Sequence, residues 1–142
     1  MKTVLVVAAH ADDEALGCGG TIARHIEEGD TVHLVFMTNG VDSRKGASKD
    51  DVKRRIDASK RAQSVLGVLF SQSLGLPDNK MDSIPLLGIV QKLELILKEI
   101  QPSVVYTHHH GDLNIDHRLT HAAVMTACRP MPDSTVREIF GF

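Results

Sequence analysis

Thr3-Val4-Leu5-Val6-Val7-Ala8-Ala9-His10-Ala11-Asp12-Asp13-Glu14 opens the chain, and its reading decides the fold. From Thr3 to Ala9 the run is continuously apolar and rich in valine. A strand with one wet face alternates apolar and polar residues. A strand that is apolar throughout is buried on both faces, as in a parallel sheet covered by helices. The run breaks abruptly onto a histidine and three acidic residues, so polar groups gather at the strand's carboxyl end.

Outward from this stretch, helix and strand alternate. Glu14 to Glu28 carries Leu16, Ile22, Ala23 and Ile26 at helical spacing and stops at Gly29-Asp30. Thr31 to Thr38 reads as a second strand, broken by Asn39-Gly40. Val41 to Asp50 is polar and predicts an exposed loop. Asp51 to Leu66 predicts an amphipathic helix ended by Gly67, and Val68-Leu69-Phe70 a short strand. Gly75 to Asn79 has turn chemistry. Pro85 to Ile100 predicts a long helix, Ser103 to Thr107 a buried strand, His117 to Cys128 a helix and Thr135 to Phe140 a last strand. This alternation predicts an α/β fold, a Rossmann-like three-layer sandwich with a mostly parallel sheet. Ligands bind such sheets at the carboxyl ends of the strands, where the strand order reverses. No repeat or linker interrupts the 142 residues, which predicts one domain. The chain stops on a strand-like run with nothing after it to cover it, so whether it is a fragment of a longer protein, lacking its C-terminal part, is left open.

Composition narrows the function classes. The net charge is −2 and aromatic residues are 4% with no Trp. This argues against a nucleic-acid partner, which would need a basic face or stacking platforms. Lys53, Arg54, Arg55, Lys60 and Arg61 form the nearest thing to a basic cluster, and a solvated helix face accounts for them. The N-terminal apolar run is too short to span a bilayer and lacks a cleavage site. Cys18 and Cys128 stand far apart with no C-x-x-C spacing, which suits reduced thiols and a cytoplasmic setting.

Histidine is the informative residue: of eight, five lie between His108 and His121. In His10-Ala11-Asp12-Asp13-Glu14, His10 and Asp13 can reach one point, and a divalent ion accepts imidazole and carboxylate together. Helix capping by Asp12 or Asp13 is the competing reading, but it leaves His10 unexplained. His108-His109-His110-Gly111-Asp112-Leu113-Asn114-Ile115-Asp116-His117 follows another predicted strand. If strands one and four are neighbours, His117 completes a three-ligand site with an open position, the arrangement of a catalytic metal. Asp116 could orient a ligand from behind. His121, four residues after His117, suggests a zinc-protease helix, but Arg118 stands where that motif needs glutamate. His25 and His33 read as structural. Gly17, Gly19 and Gly20 lack the third glycine of a dinucleotide fingerprint, and helix–sheet packing is their better reading.

Together these segments resemble the LmbE-like (PIG-L) zinc deacetylases, the family that includes N-acetylglucosaminyl-phosphatidylinositol de-N-acetylases. The family's A-H-P-D-D-E stands here as Ala9-His10-Ala11-Asp12-Asp13-Glu14. Leu16 to Ala23, Thr38-Asn39-Gly40, Arg55 with Ala62 and Leu66-Gly67-Val68, Leu74 to Asp78, and Asp116-His117-Arg118 continue the similarity. The resemblance implies that His10, Asp13 and His117 hold one divalent ion, zinc or another such as Fe2+ or Co2+. It implies that Asp12 is the general base, and that Arg55 and Asp78 help hold substrate. Three departures stand out. Ala11 replaces the usual proline. Asn114 stands where many members have a histidine that helps stabilise the oxyanion or protonate the leaving amine. Either Asn114 serves as an oxyanion donor, or His108, His109 or His110 takes the acid role. Family members also usually run on beyond this chain's end. The implied reaction is removal of the N-acetyl group from a small acetylated amino sugar by metal-activated water. The rivals are a metal-binding homologue that has lost catalysis and a Rossmann-like sugar-nucleotide binder. Oligomeric state, a homo-oligomer included, is not readable.

Overall fold

The structure is a computed structural model and describes residues 1–40 and 48–142. Five strands form one all-parallel sheet: β1 (Thr3–Ala8), β2 (Thr31–Thr38), β3 (Phe70–Leu76), β4 (Val104–Thr107) and β5 (Glu138–Gly141). Their order is β3-β2-β1-β4-β5, so the direction of winding reverses between β1 and β4. Among the described residues four helices connect them: α1 (Asp13–Glu27), α2 (Lys49–Leu66), α3 (Leu86–Ile100) and α4 (Ile115–Ala127). A 3-10 turn spans Met81–Ser83.

The period of a strand explains the two cores. Side chains alternate across the sheet, so Leu5 and Val7 of β1 face one side and Val4, Val6 and Ala8 the other. The first side packs with Val35, Met37 and Val105 under α3 (Ile89, Val90, Leu93, Ile96) and α4 (Ala123, Val124). The second packs with Val32, Leu34, Phe36 and Val104 under Cys18 and Ile22 of α1. Both faces of β1 are therefore dry, and the strand is rigid up to the residues that follow it.

Four elements depart from the expectations above, among them β5, which begins at Glu138, three residues after the expected Thr135. β3 lies later than Val68–Phe70 and takes in Gly75 and Leu76, the first residues of the segment read above as a turn. Ser71, Gln72 and Ser73 disguise it, because β3 is an edge strand with most of its residues exposed. The pairing register shifts between Phe36 and Thr38, and Gly75 opposite this irregularity takes φ +63, which glycine adopts without strain. α4 begins at Ile115, two residues before the expected start, because Asn114 caps it by accepting from Asp116 N. α2 is longer than expected: Ser48 and Asp51 form a reciprocal capping box. Only Gln63 of α2 is buried among the described residues, so this helix lies over the sheet's margin rather than across the core. The loop read over Val41–Asp50 lies, as far as residue 47, outside the described residues.

Gly17 is the glycine of its group that serves a close approach. A Cβ there would come within 2.2 Å of the Phe142 ring, whereas nothing lies within 4 Å of one at Gly20. No helix among the described residues is long and apolar enough to cross a membrane.

Both cysteines are buried and free, and burial pushes the thiols up, Cys18 to about 12 and Cys128 to about 11. Thiolate is the reactive form. In native protein at pH 8 neither thiol should react with a disulfide reagent over minutes, and both should titrate once denaturant is added. Fast native labelling would mean that the packing around α1 and α4 is wrong.

Candidate active site

The reversal of winding brings the ends of β1 and β4 side by side, and two loops meet above them. His10 Nδ1 lies 3.3 Å from Asp13 Oδ2, and His117 Nε2 lies 3.3 Å from the same oxygen. The two imidazole nitrogens are 3.2 Å apart. A tetrahedral zinc with bonds of about 2.0–2.1 Å separates its ligands by about 3.3 Å. The donor triangle thus has the shape and chemistry of three ligands of one divalent ion.

Both histidines are held from behind. The far nitrogen of His10, Nε2, is 3.1 Å from Asp116 Oδ2 and 3.2 Å from Asp78 Oδ1. Asp116 is fully buried and accepts also from the backbone N–H groups of Asn79 (2.6 Å) and Met81 (3.1 Å). The far nitrogen of His117, Nδ1, is 2.9 Å from Asp112 Oδ2. His108 stacks on the His117 ring, centroids 3.8 Å apart at 15°. Such outer carboxylates fix the tautomer and orientation of ligating histidines.

Electrostatics agree with the geometry. Burial would raise the Asp13 carboxyl, but His10, His108 and His117 around it hold it well below the ordinary carboxylate range. Burial would lower His117, yet Asp13 and Asp112 together raise it to about 9. His10 is likewise raised: Asp13, Asp116 and Asp78 outweigh its burial. Asp112 is lowered, first by the Asn114 N–H and then by His117. The centre of the triangle is a place that stabilises positive charge.

The other sequence-derived candidates surround this triangle. Asp12 is not among the three donors; its carboxylate is half exposed, with Oδ2 3.0 Å from Arg55 Nη2. Arg55 therefore meets Asp12 directly. Asp78, expected to help hold substrate, is 2% exposed, and its Oδ1 lies 3.2 Å from His10 Nε2. Asp116 lies against the same nitrogen. Asn114 accepts from Asp116 N through Oδ1 and donates through Nδ2 to Asn79 Oδ1 at 3.2 Å. Of the three histidines weighed for an acid role, His108 is 2% exposed and its Nε2 accepts from Ala9 N at 2.9 Å. His109 and His110 are exposed. His121 Nδ1 donates to the His108 carbonyl at 2.8 Å.

Asp112 is a supporting group that the sequence reading passed over. Its signal was an aspartate five residues before His117, on the same loop. Glu14 is a second: its side chain is buried and accepts from Asp12 N at 3.0 Å.

The sequence matches the family described as PIG-L: GlcNAc-PI de-N-acetylase over residues 5–128. It is 33% identical over 136 residues to the Escherichia coli (strain K12) protein named uncharacterized deacetylase YaiS, covering 92% of this chain and 70% of that one. The fold is similar to that of N,N'-diacetylchitobiose deacetylase from Pyrococcus horikoshii complexed with its inhibitor MPG. The TM-score is 0.81 at 25% identity, over 94% of this chain and 52% of that one. It is also similar to GalB, the 4-carboxy-2-hydroxymuconate hydratase from Pseudomonas putida KT2440. There the TM-score is 0.76 at 27% identity, over 89% of this chain and 55% of that one. The chain thus spans about half the length of the two solved relatives. With the match running through both loops of the site, this chain belongs to the PIG-L family.

Proposed function

We propose that the protein is a metal-dependent amide hydrolase that removes the N-acetyl group from a small acetylated amino sugar. The observation that carries this reading is the donor triangle of His10, Asp13 and His117, with edges of 3.2 to 3.3 Å. The family description and the chitobiose deacetylase supply the substrate class. Zinc suits two imidazoles and one carboxylate, and Fe2+ or Co2+ could take the same ligands. When bound, such a cation acidifies water and polarises an acyl oxygen.

The chain's own residues supply the rest. Asp12 stands beside the triangle without joining it, and Arg55 holds its carboxylate in one orientation. It takes a proton from the attacking water and returns it to the leaving amine. That shuttle removes the need for the histidine absent at 114. An amide nitrogen carries two N–H bonds. Asn114 gives one to Asn79, and the second can be offered to the developing oxyanion, a contact worth about 3 kcal/mol. Asp116, Asp78 and Asp112 keep the histidine rings aimed.

A second reading has the likeness to GalB behind it: hydration in place of deacetylation. Free amine and acetate form only in the first reaction. A screen of acetylated amino sugars with metal-loaded protein therefore separates the two.

Asp12→Ala should lose turnover while binding the same amount of metal, read by elemental analysis beside the activity assay. Undiminished turnover would remove Asp12 from the mechanism. Asp112→Ala should weaken metal binding by about 10–100-fold, since His117 loses the partner that orients it. Competition with a chelating dye measures this, and an unchanged affinity would deny Asp112 its role.

A further inference from the structure

The first N–H groups of a helix have no acceptor within it, and an aspartate at the N-cap ordinarily folds its carboxylate back onto them. Asp12 is the N-cap of α1 and makes no such bond. Its carboxylate turns outward to Arg55. The N–H groups of Asp12 and Asp13, at the entry to α1, bond to other groups. The His10 carbonyl accepts from Asp12 N at 3.1 Å and Asp13 N at 3.3 Å. Glu14 Oε2 accepts from Asp12 N at 3.0 Å.

Glu14 is an unusual choice for this task. It is 1% exposed, in the first turn of α1, on the same side as Cys18 and Ile22. Burying a carboxyl is costly unless it is hydrogen-bonded. The helix dipole would be served as well by a glutamate on the surface. Glu14 is not one of the donors of the metal triangle. Its side chain bonds instead to the backbone of Asp12, the residue that carries the reacting carboxylate.

We propose that Glu14 is a positioning residue for Asp12: its buried carboxylate holds the Asp12 N–H and so fixes the backbone from which the Asp12 carboxylate projects toward Arg55 and the donor triangle. The inference rests on the reading of Asp12 as general base and adds a residue to it. Glu14 touches neither substrate nor metal. It acts by fixing the 11–13 turn, so that Asp12 projects at one angle toward the donor triangle.

The test compares Glu14→Ala with Glu14→Gln in metal-loaded protein. Glutamine keeps an oxygen that can accept the Asp12 N–H; alanine does not. Glu14→Ala should lower kcat by about 100-fold, the scale of a misplaced catalytic group, with KM and metal stoichiometry unchanged. Glu14→Gln should keep most of the activity. Hydrogen exchange at the Asp12 amide gives a readout independent of turnover. It should be most protected in wild type and Glu14→Gln, and exchange faster in Glu14→Ala, where the His10 carbonyl alone still accepts from it. If the alanine protein does not fold, Glu14→Met fills the same space without an acceptor and takes its place. Three results would overturn the inference: wild-type kcat without the acceptor, metal lost in step with kcat, or equal loss in the alanine and glutamine variants. Wild-type protein that turns over no acetylated amino sugar would instead sink the reading of Asp12 itself.

Discussion

One carboxylate set between imidazoles governs this molecule. Asp13 Oδ2 lies 3.3 Å from His10, 3.3 Å from His117 and 3.4 Å from His108. His10 and His117 are 107 residues apart in the chain, and the sheet's change of winding direction brings them together. Behind them stand Asp78, Asp112 and Asp116, two of them nearly or wholly buried. Taking carboxylates out of water is expensive unless positive charge faces them. The raised histidines and the depressed Asp13 and Asp112 are the response to that demand. A bound divalent ion meets it more fully than protons on rings, which is the physical reason to read the cluster as a metal centre.

The fold makes this arrangement stiff as well as possible. β1 is dry on both faces, and α4 is anchored through Ala123 and Val124, so the loops above them leave from fixed points. His117 is clamped by a stacked ring on one side and a carboxylate at its far nitrogen. His10 is clamped by Asp116, which is itself tied to the turn at Asn79 and Met81. The 78–81 turn, which lies far from both ligand loops in sequence, thereby becomes part of the site's frame. Pre-organised ligands lose little freedom when a cation or substrate arrives.

The all-parallel α/β architecture and the meeting of the two loops were legible because each rests on a local pattern. The Val-rich run of β1 shows double burial, and polar residues begin where it ends. What escaped notice was whatever depends on long-range pairing. β3 is spelled Phe-Ser-Gln-Ser-Leu-Gly-Leu, a poor strand by composition, and it is held as an edge by β2. Asp112 is unremarkable in sequence, since an acidic residue in a loop is ordinarily solvated, and Asp78 stood out only through the family resemblance. Only the folded chain shows that one faces His117 and the other His10. Asn114 was legible as a departure from the family pattern. That its carbonyl caps α4 and its amide reaches Asn79 required coordinates.

The turn between β1 and α1 shows how such a departure is absorbed. A proline at position 11 would stiffen the loop by fixing one backbone angle. Alanine gives up that restraint, and in a free peptide the loss would spread His10 and Asp13 over many relative positions. Here the turn is restrained by bonds instead. The His10 carbonyl takes two N–H groups, the His10 N–H is taken by Asp13 Oδ2 at 2.8 Å, and Glu14 takes the Asp12 N–H from beneath. The His10 bonds tie the two ligand residues to each other, so the turn cannot open without breaking the donor triangle. The ligand geometry and the shape of the loop are therefore a single constraint, and the identity of residue 11 can change while both stay in place.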